Sequence, residues 1–224
     1  MDQSADSFEA MSTSPPSPRA TVRRNPRRAS YEPGLVEAIL DAAPVCHVGI
    51  AADGPFVLPM FHARIGGRVF LHGASTSRLM RALAEGAPCC LTATLLDGLV
   101  LARSAYHHSM NFRSVVVLGR ASLVPDGADK DAALAAMVER LVPGRAAQVR
   151  PPSEPELRAT TVVALPLDEA SAKVRTGPPL DDEDDLQLPV WAGVVPLALR
   201  AGTPEPAPGL GEGPSAPLAR LGLL

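Results

Sequence analysis

Within "VFLHGASTSRLM", residues 69–80, an imidazole, three consecutive hydroxyls and a guanidinium follow one another as His72, Ser75, Thr76, Ser77 and Arg78. Two kinds of chemistry suit that set. Imidazole, with an ordinary pKa of about 6.5, exchanges protons near neutral pH. Hydroxyls and a planar guanidinium grip phosphate oxygens, best at a helix start, where unpaired N–H groups carry partial positive charge. "RLMRALAE" supplies that helix, with Leu79, Met80 and Leu83 on one face. Arg81 has Glu85 at i,i+4 to pair with, which leaves Arg78 for an anion. The hydroxyls also suit a plain N-cap, although neither Thr76 nor Ser77 has the Glu or Gln three residues on that a capping box needs. Spacing alone leaves cap and cradle both open.

Other polar groups deserve the same weighing. Pro59, in "FVLPMFHARI", removes a ladder donor and confines its strand to an edge or bulge, where a ligand can stand in for a neighbour. Asn111, Arg113 and Ser114 open a long β-branched run; alternation puts Asn111 and Arg113 on one face and Ser114 on the other. His107 and His108 are adjacent, so an extended strand points them apart, and Cys46-His47 and Cys89-Cys90 lack the spacing of a zinc knuckle. No metal site is expected, and "DDEDD" at 181–185 reads as a solvated acidic loop.

The elements that must position these groups follow from periodicity. "PGLVEAILDAA" (33–43) is an amphipathic helix entered through Pro33. "VCHVGIA" (45–51), "FVLPMFHARI" and "RVFLH" read as strands, the last two joined by the hairpin signal Gly66-Gly67. After the helix at 78–85 come strands in "PCCLTATLLDG" (88–98) and "FRSVVVLGRASLV" (112–124). "KDAALAAMVERLV" (130–142) is a helix stopped by Pro143 and Gly144, and "ATTVVALPLDEASAKVRTG" (159–177) adds a further strand and an irregular segment. Strands without regular βαβ alternation predict a mainly β (α+β) fold, an antiparallel barrel with appended helices.

The Ser/Pro/Arg-rich stretch 1–29, with Arg19, Arg23, Arg24, Arg27 and Arg28, cannot bury enough apolar surface to order itself and is expected as a tail. Residues 199–224, rich in Pro and Gly, read likewise, which puts one domain at 30–198. A net charge of -3 gives no general pull toward nucleic acid. Three cysteines fit no disulfide framework and point to a reducing compartment; with neither a leader-like N-terminus nor an apolar run of membrane length, a soluble cytoplasmic protein is expected.

The chain resembles the split-barrel flavin-binding proteins of the pyridoxamine 5'-phosphate oxidase superfamily, nearest the nitroimidazole-resistance branch. The resemblance is carried by "VLPMFHARIGGRVFLHGASTSRLMRAL", "HSMNFRSVVVLG", "SAKVRTGPP" and "VWAGVVPL", and spans about residues 30–198. It implies a six-stranded antiparallel split β-barrel, a homodimer, and FMN between subunits. It would put Ser75, Thr76, Ser77 and Arg78 on the FMN phosphate, with Arg78 where lysine is usual, and Pro59, Met60 and Phe61 on the isoalloxazine. Asn111, Arg113 and Ser114 fall at the dimer seam, and Lys173, Arg175 and Trp191 in a segment closing over the cofactor. His72 matches a histidine regarded as an active-site residue in the nitroimidazole-resistance proteins. The activity implied is an FMN-dependent oxidoreductase in which a nicotinamide or other donor reduces the flavin and a small electron-poor molecule accepts electrons. The alternative is a flavin- or haem-binding module without turnover, with His62, His72, His107 or His108 as axial ligand.

Overall fold

The computed structural model describes residues 14–51, 54–203 and 205–209. After the two-residue strand β1 (Ala29–Ser30) comes helix α1 (Pro33–Ala42), whose buried Val36, Ile39 and Leu40 form the predicted stripe. β2 (Cys46–Ala51) and β3 (Pro55–Met60) pair, and β4 (His62–Ile65) and β5 (Arg68–Ala74) form the predicted hairpin. Gly66 turns that hairpin at φ +55, a conformation glycine adopts without Cβ strain. The break at Phe61 passes the chain from one sheet to the other, because β3 and β4 belong to different sheets.

Helix α2 (Arg78–Ala84) leads into the long antiparallel pair β6 (Pro88–Leu101) and β7 (Ser109–Arg120). β6 runs past the predicted end at 98 by shifting register between Leu96 and Gly98. β8 (Ser122–Leu123), α3 (Ala128–Leu141), α4 (Glu154–Ala159), β9 (Thr160–Pro166), β10 (Ala170–Arg175) and β11 (Gly193–Pro196) complete the described elements. One sheet runs β1-β10-β7-β6-β2-β3, with β11 on β6; the other runs β4-β5-β9-β8. The two antiparallel sheets pack without closing into one barrel, which is the split-barrel arrangement. Short edge strands and the break at Phe61 raise the strand count above the six expected.

Two cores follow from strand alternation. Val69 and Leu71 of β5 face the space between the sheets, where Val48, Leu91, Val115 and Leu165 meet α1 and α2. Each fully buried Leu or Ile there contributes roughly 1.5–3 kcal/mol relative to exposure. Phe70, between them in sequence, faces outward into a second core with Val162, Ala164 and Met137 of α3. The small sheet is therefore covered on both faces.

The boundary expected near residue 30 falls inside a packed segment. Ala20 is buried, Arg19 pairs with Glu169, and the Val22 N–H donates to the Tyr31 hydroxyl 2.9 Å away. Ala29 and Ser30 add a strand to the β10 edge, which supplies the ladder partners that composition could not reveal. Residues 199–203 and 205–209 are exposed and form no helix or strand; expectations for 1–13 and 210–224 fall outside the described residues.

Candidate functional site

β5 and its exit organise the site. His72 pairs across to Val162 of β9 and, by alternation from Phe70, lies on the outer face of the small sheet. Gly73 takes the opposite face; a Cβ there would stand 2.8 Å from Cγ of buried Met80. The imidazole thus faces away from the body of α2, toward α3 and α4. There it lines an open cavity of about 430 Å³ with Leu134, Arg150, Pro152, Glu156 and Thr160. His72 is half-buried, its Nδ1 is buried with no hydrogen-bond partner, and burial lowers its pKa. It is a neutral imidazole at physiological pH with one nitrogen uncommitted.

At the strand exit, Ser77 is the N-cap of α2: its Oγ accepts from the Met80 N–H at 3.4 Å. The Ser75 N–H donates to the Ala159 carbonyl at 2.9 Å, tying the turn to the end of α4. The Arg78 guanidinium stands 4.2 Å over the Phe56 ring of β3, a cation–π contact that orients it. No acidic side chain pairs with Arg78 among the described residues.

Of the three residues expected against the flavin ring, Pro59 is exposed on β3, the edge strand of its sheet, where a proline is tolerated. Met60 packs on the main core, and Phe61 packs on the second core beneath Arg140, 5.8 Å from its ring.

The predicted seam residues are held locally. Asn111 is buried, donates to the Gly177 carbonyl at 3.2 Å and accepts from Arg175. Arg113 makes two bonds to Asp97, at 2.9 and 2.7 Å, and the Ser114 hydroxyl donates to the Lys173 carbonyl at 3.3 Å. Lys173 is half-buried on β10. Trp191 is 64% exposed with its ring beside Gly193 of β11, and exposed Leu99 pairs across to exposed Val195 and Met110. The structure thus brings His72 together with none of these, but with Arg150, Glu156 and Thr160. Those three escaped the sequence reading, although Ser153 and Glu156 in "SEPE" carry the capping-box spacing that marks α4.

A family model described as pyridoxamine 5'-phosphate oxidase matches residues 33–174. The chain belongs to that family. This member is also similar to the flavocytochrome Anf3 from Azotobacter vinelandii, at 49% identity and TM-score 0.85, over 90% of this chain and 95% of that one. It is 37% identical, with TM-score 0.81, to the FAD and haem binding protein from Mycobacterium smegmatis, over 86% and 96% of the two chains. A proposed 5-nitroimidazole antibiotic resistance protein from Bacteroides thetaiotaomicron shares the fold at 24% identity and TM-score 0.55, over 65% and 86%. No curated protein sequence matches this family member. Among the described residues no helix is long and apolar enough to cross a membrane.

Proposed function

We propose that this protein binds a flavin and a haem in one homodimer and acts as an oxidoreductase, taking electrons from a nicotinamide or other donor and delivering them to a small acceptor. The observation that carries the haem part is His72, a half-buried imidazole that lines a cavity and whose Nδ1 is sealed in the protein, which leaves Nε2 as the nitrogen available to a ligand. Leu134 and Pro152 give the cavity apolar surface, and Arg150, Thr160 and Glu156 a polar side on which Arg150 offsets the Glu156 charge, which suits a flat apolar ring with a charged edge. The other histidines weighed for the role are engaged. His62 is fully buried against the Leu40 carbonyl, His107 lies 3.1 Å from Asp182, and His108 lies 2.9 Å from the Ser104 carbonyl. The names of the 49% and 37% identical relatives support the same reading.

For the flavin, the phosphate end falls to Ser75, Thr76 and Arg78, with Ser77 serving the helix. Arg78 is pre-oriented by Phe56 and, among the described residues, has no carboxylate to displace. The 37% identical relative is named for FAD, so FAD replaces FMN as the first flavin to test. Exposed Val57 and Leu58 beside Pro59, and exposed Leu99, Met110, Val195 and Trp191, are apolar surface that a second protomer and a flavin ring would cover.

When bound, the two groups supply hydride and one-electron chemistry. The chain's own work is to ligate through His72 and orient through Arg78. The test is the spectrum of freshly purified protein, then titration with FAD, FMN and haem. Both chromophores are expected. His72→Ala should abolish the haem Soret band with flavin content unchanged, and Arg78→Ala should weaken flavin at least tenfold, about 1.4 kcal/mol. Neither chromophore bound nor taken up would refute the reading. Binding of both without steady-state turnover would leave a carrier or sequestering module instead.

A further inference from the structure

Arg150 stands in the loop before α4 and lines the cavity that His72 lines. Its guanidinium makes a two-pronged pair with Glu156, Nη1 to Oε2 at 2.8 Å and Nη2 to Oε1 at 2.6 Å. Glu156 does not depend on that pair. Its Oε2 also accepts from the Ser153 N–H at 2.7 Å and the Ser153 hydroxyl at 3.0 Å, the capping box that starts α4. Among the described residues Arg150 has one other partner, the Pro151 carbonyl at 3.0 Å. Both side chains are largely exposed, so water screens the pair and its net worth is small. A fixed carboxylate therefore holds a loosely committed guanidinium in the lining of a cavity that an imidazole also lines.

The planar fork of arginine is matched to carboxylate, and its five N–H donors can serve Glu156 and a second carboxylate together. Leu134 and Pro152 line the same cavity. The ligand that meets all three features has an apolar planar body, a centre that takes imidazole, and free carboxylates on one edge. We propose that Arg150 is the anchor for a haem propionate, so that the site selects a tetrapyrrole with free carboxylates. This rests on the haem reading of His72. Glu156 orients Arg150 yet repels the incoming carboxylate, so it sets the strength of the grip without making it.

The experiment titrates the full-length protein with haem and with haem dimethyl ester, read by the Soret band. The unmodified protein should prefer haem over the ester at least tenfold. Arg150→Ala should erase that preference while binding the ester as the unmodified protein does. Glu156→Gln should keep the preference and tighten haem severalfold. Equal binding of both compounds by the unmodified protein, or a preference that survives Arg150→Ala, overturns the proposal. So does an Arg150→Ala protein that loses FAD affinity with haem discrimination intact, because the anion held is then a flavin phosphate. Binding of neither porphyrin sinks the haem reading itself, a distinguishable failure. Arg150 is exposed on a loop, and an unchanged thermal midpoint will show that its replacement leaves the fold intact.

Discussion

His62 and Arg140 converge on one acceptor: His62 Nε2 lies 2.9 Å and Arg140 Nη2 2.7 Å from the Leu40 carbonyl oxygen. Leu40 is in the last turn of α1, where carbonyls have no partner within the helix. The carbonyl accepts, so His62 donates through Nε2–H, and its Nδ1 is buried with no partner. Protonating Nδ1 would place a second positive charge beside Arg140 without water to solvate it.

Burial, then Arg140, lowers the His62 pKa from 6.5 to about 4. The sign of the pH dependence follows. Below 6.5 the unfolded chain takes up a proton at this histidine that the folded chain refuses until about 4, so stability falls with pH through that window. The gap corresponds to about 3 kcal/mol. Denaturant melts between pH 7 and 4 should show this loss, and His62→Gln should flatten the part of it due to His62. An equally steep loss in the variant would assign the pH dependence elsewhere.

Arg140 also reaches the Asp41 carbonyl at 3.0 Å and the Ala43 carbonyl, so one side chain from α3 caps the C-terminus of α1. Arg140→Met keeps much of the apolar stem over Phe61 but leaves these carbonyls short of a donor. A loss of about 2–4 kcal/mol is expected, since a buried unsatisfied group costs about 1–3 kcal/mol. Urea unfolding checks it; a loss under about 1 kcal/mol would mean that water reaches the helix end and replaces the cap.

Gly73→Ala should destabilise by about 1–3 kcal/mol, because the new methyl meets buried Met80 at 2.8 Å. Met80→Ala costs stability alone by opening a cavity, but the double variant should recover part of the Gly73→Ala penalty. A strictly additive double variant would show that the backbone of β5 yields instead of the methionine.

The fold was legible where periodicity and turn chemistry agree. Pro33 at the start of α1 and Gly66-Gly67 between β4 and β5 are local signals that tertiary packing did not override. Pro59 left an edge or a bulge open for β3, and β3 is the edge strand of its sheet. The hydroxyls at 75–77 were readable as a turn and cap, and Ser77 bears out the cap. What the sequence hid was long-range. His72 sits beside Arg150 and Glu156 because β5 pairs with β9, and the loop and α4 that lead into β9 arrive with it. Asn111 and Arg113 looked free to meet a ligand because their partners, Arg175 and Asp97, are far from them in sequence or across a register shift. The ordering of 14–30 likewise depends on a β10 edge that composition does not reveal.

Arg175 supplies the last test. It is 6% exposed, and burial followed by the nearby charge of Arg28 lowers its pKa. No carboxylate pairs with it among the described residues, and its Nε is buried without a partner. Its other nitrogens donate to the Asn111 side chain, to the Gly177 carbonyl at 3.3 Å and to the Pro178 carbonyl at 3.1 Å. These bonds root the segment that runs on to Trp191, tethered further along by Asp181, which accepts from the Arg103 N–H at 2.8 Å and its guanidinium at 2.6 Å. Arg175→Ala strands two acceptors, the Asn111 side-chain oxygen and the Pro178 carbonyl, while the Gly177 carbonyl keeps the Asn111 donor, and should cost about 2–4 kcal/mol. Asn111→Ala should couple to it by about 1 kcal/mol or more, as expected of contacting partners. Limited proteolysis gives the readout that stability alone does not. The Arg175→Ala protein should be cut first within 177–191 under conditions where the folded core resists. Cutting at unchanged rates in that segment would show that Asp181 and β11 hold it without Arg175.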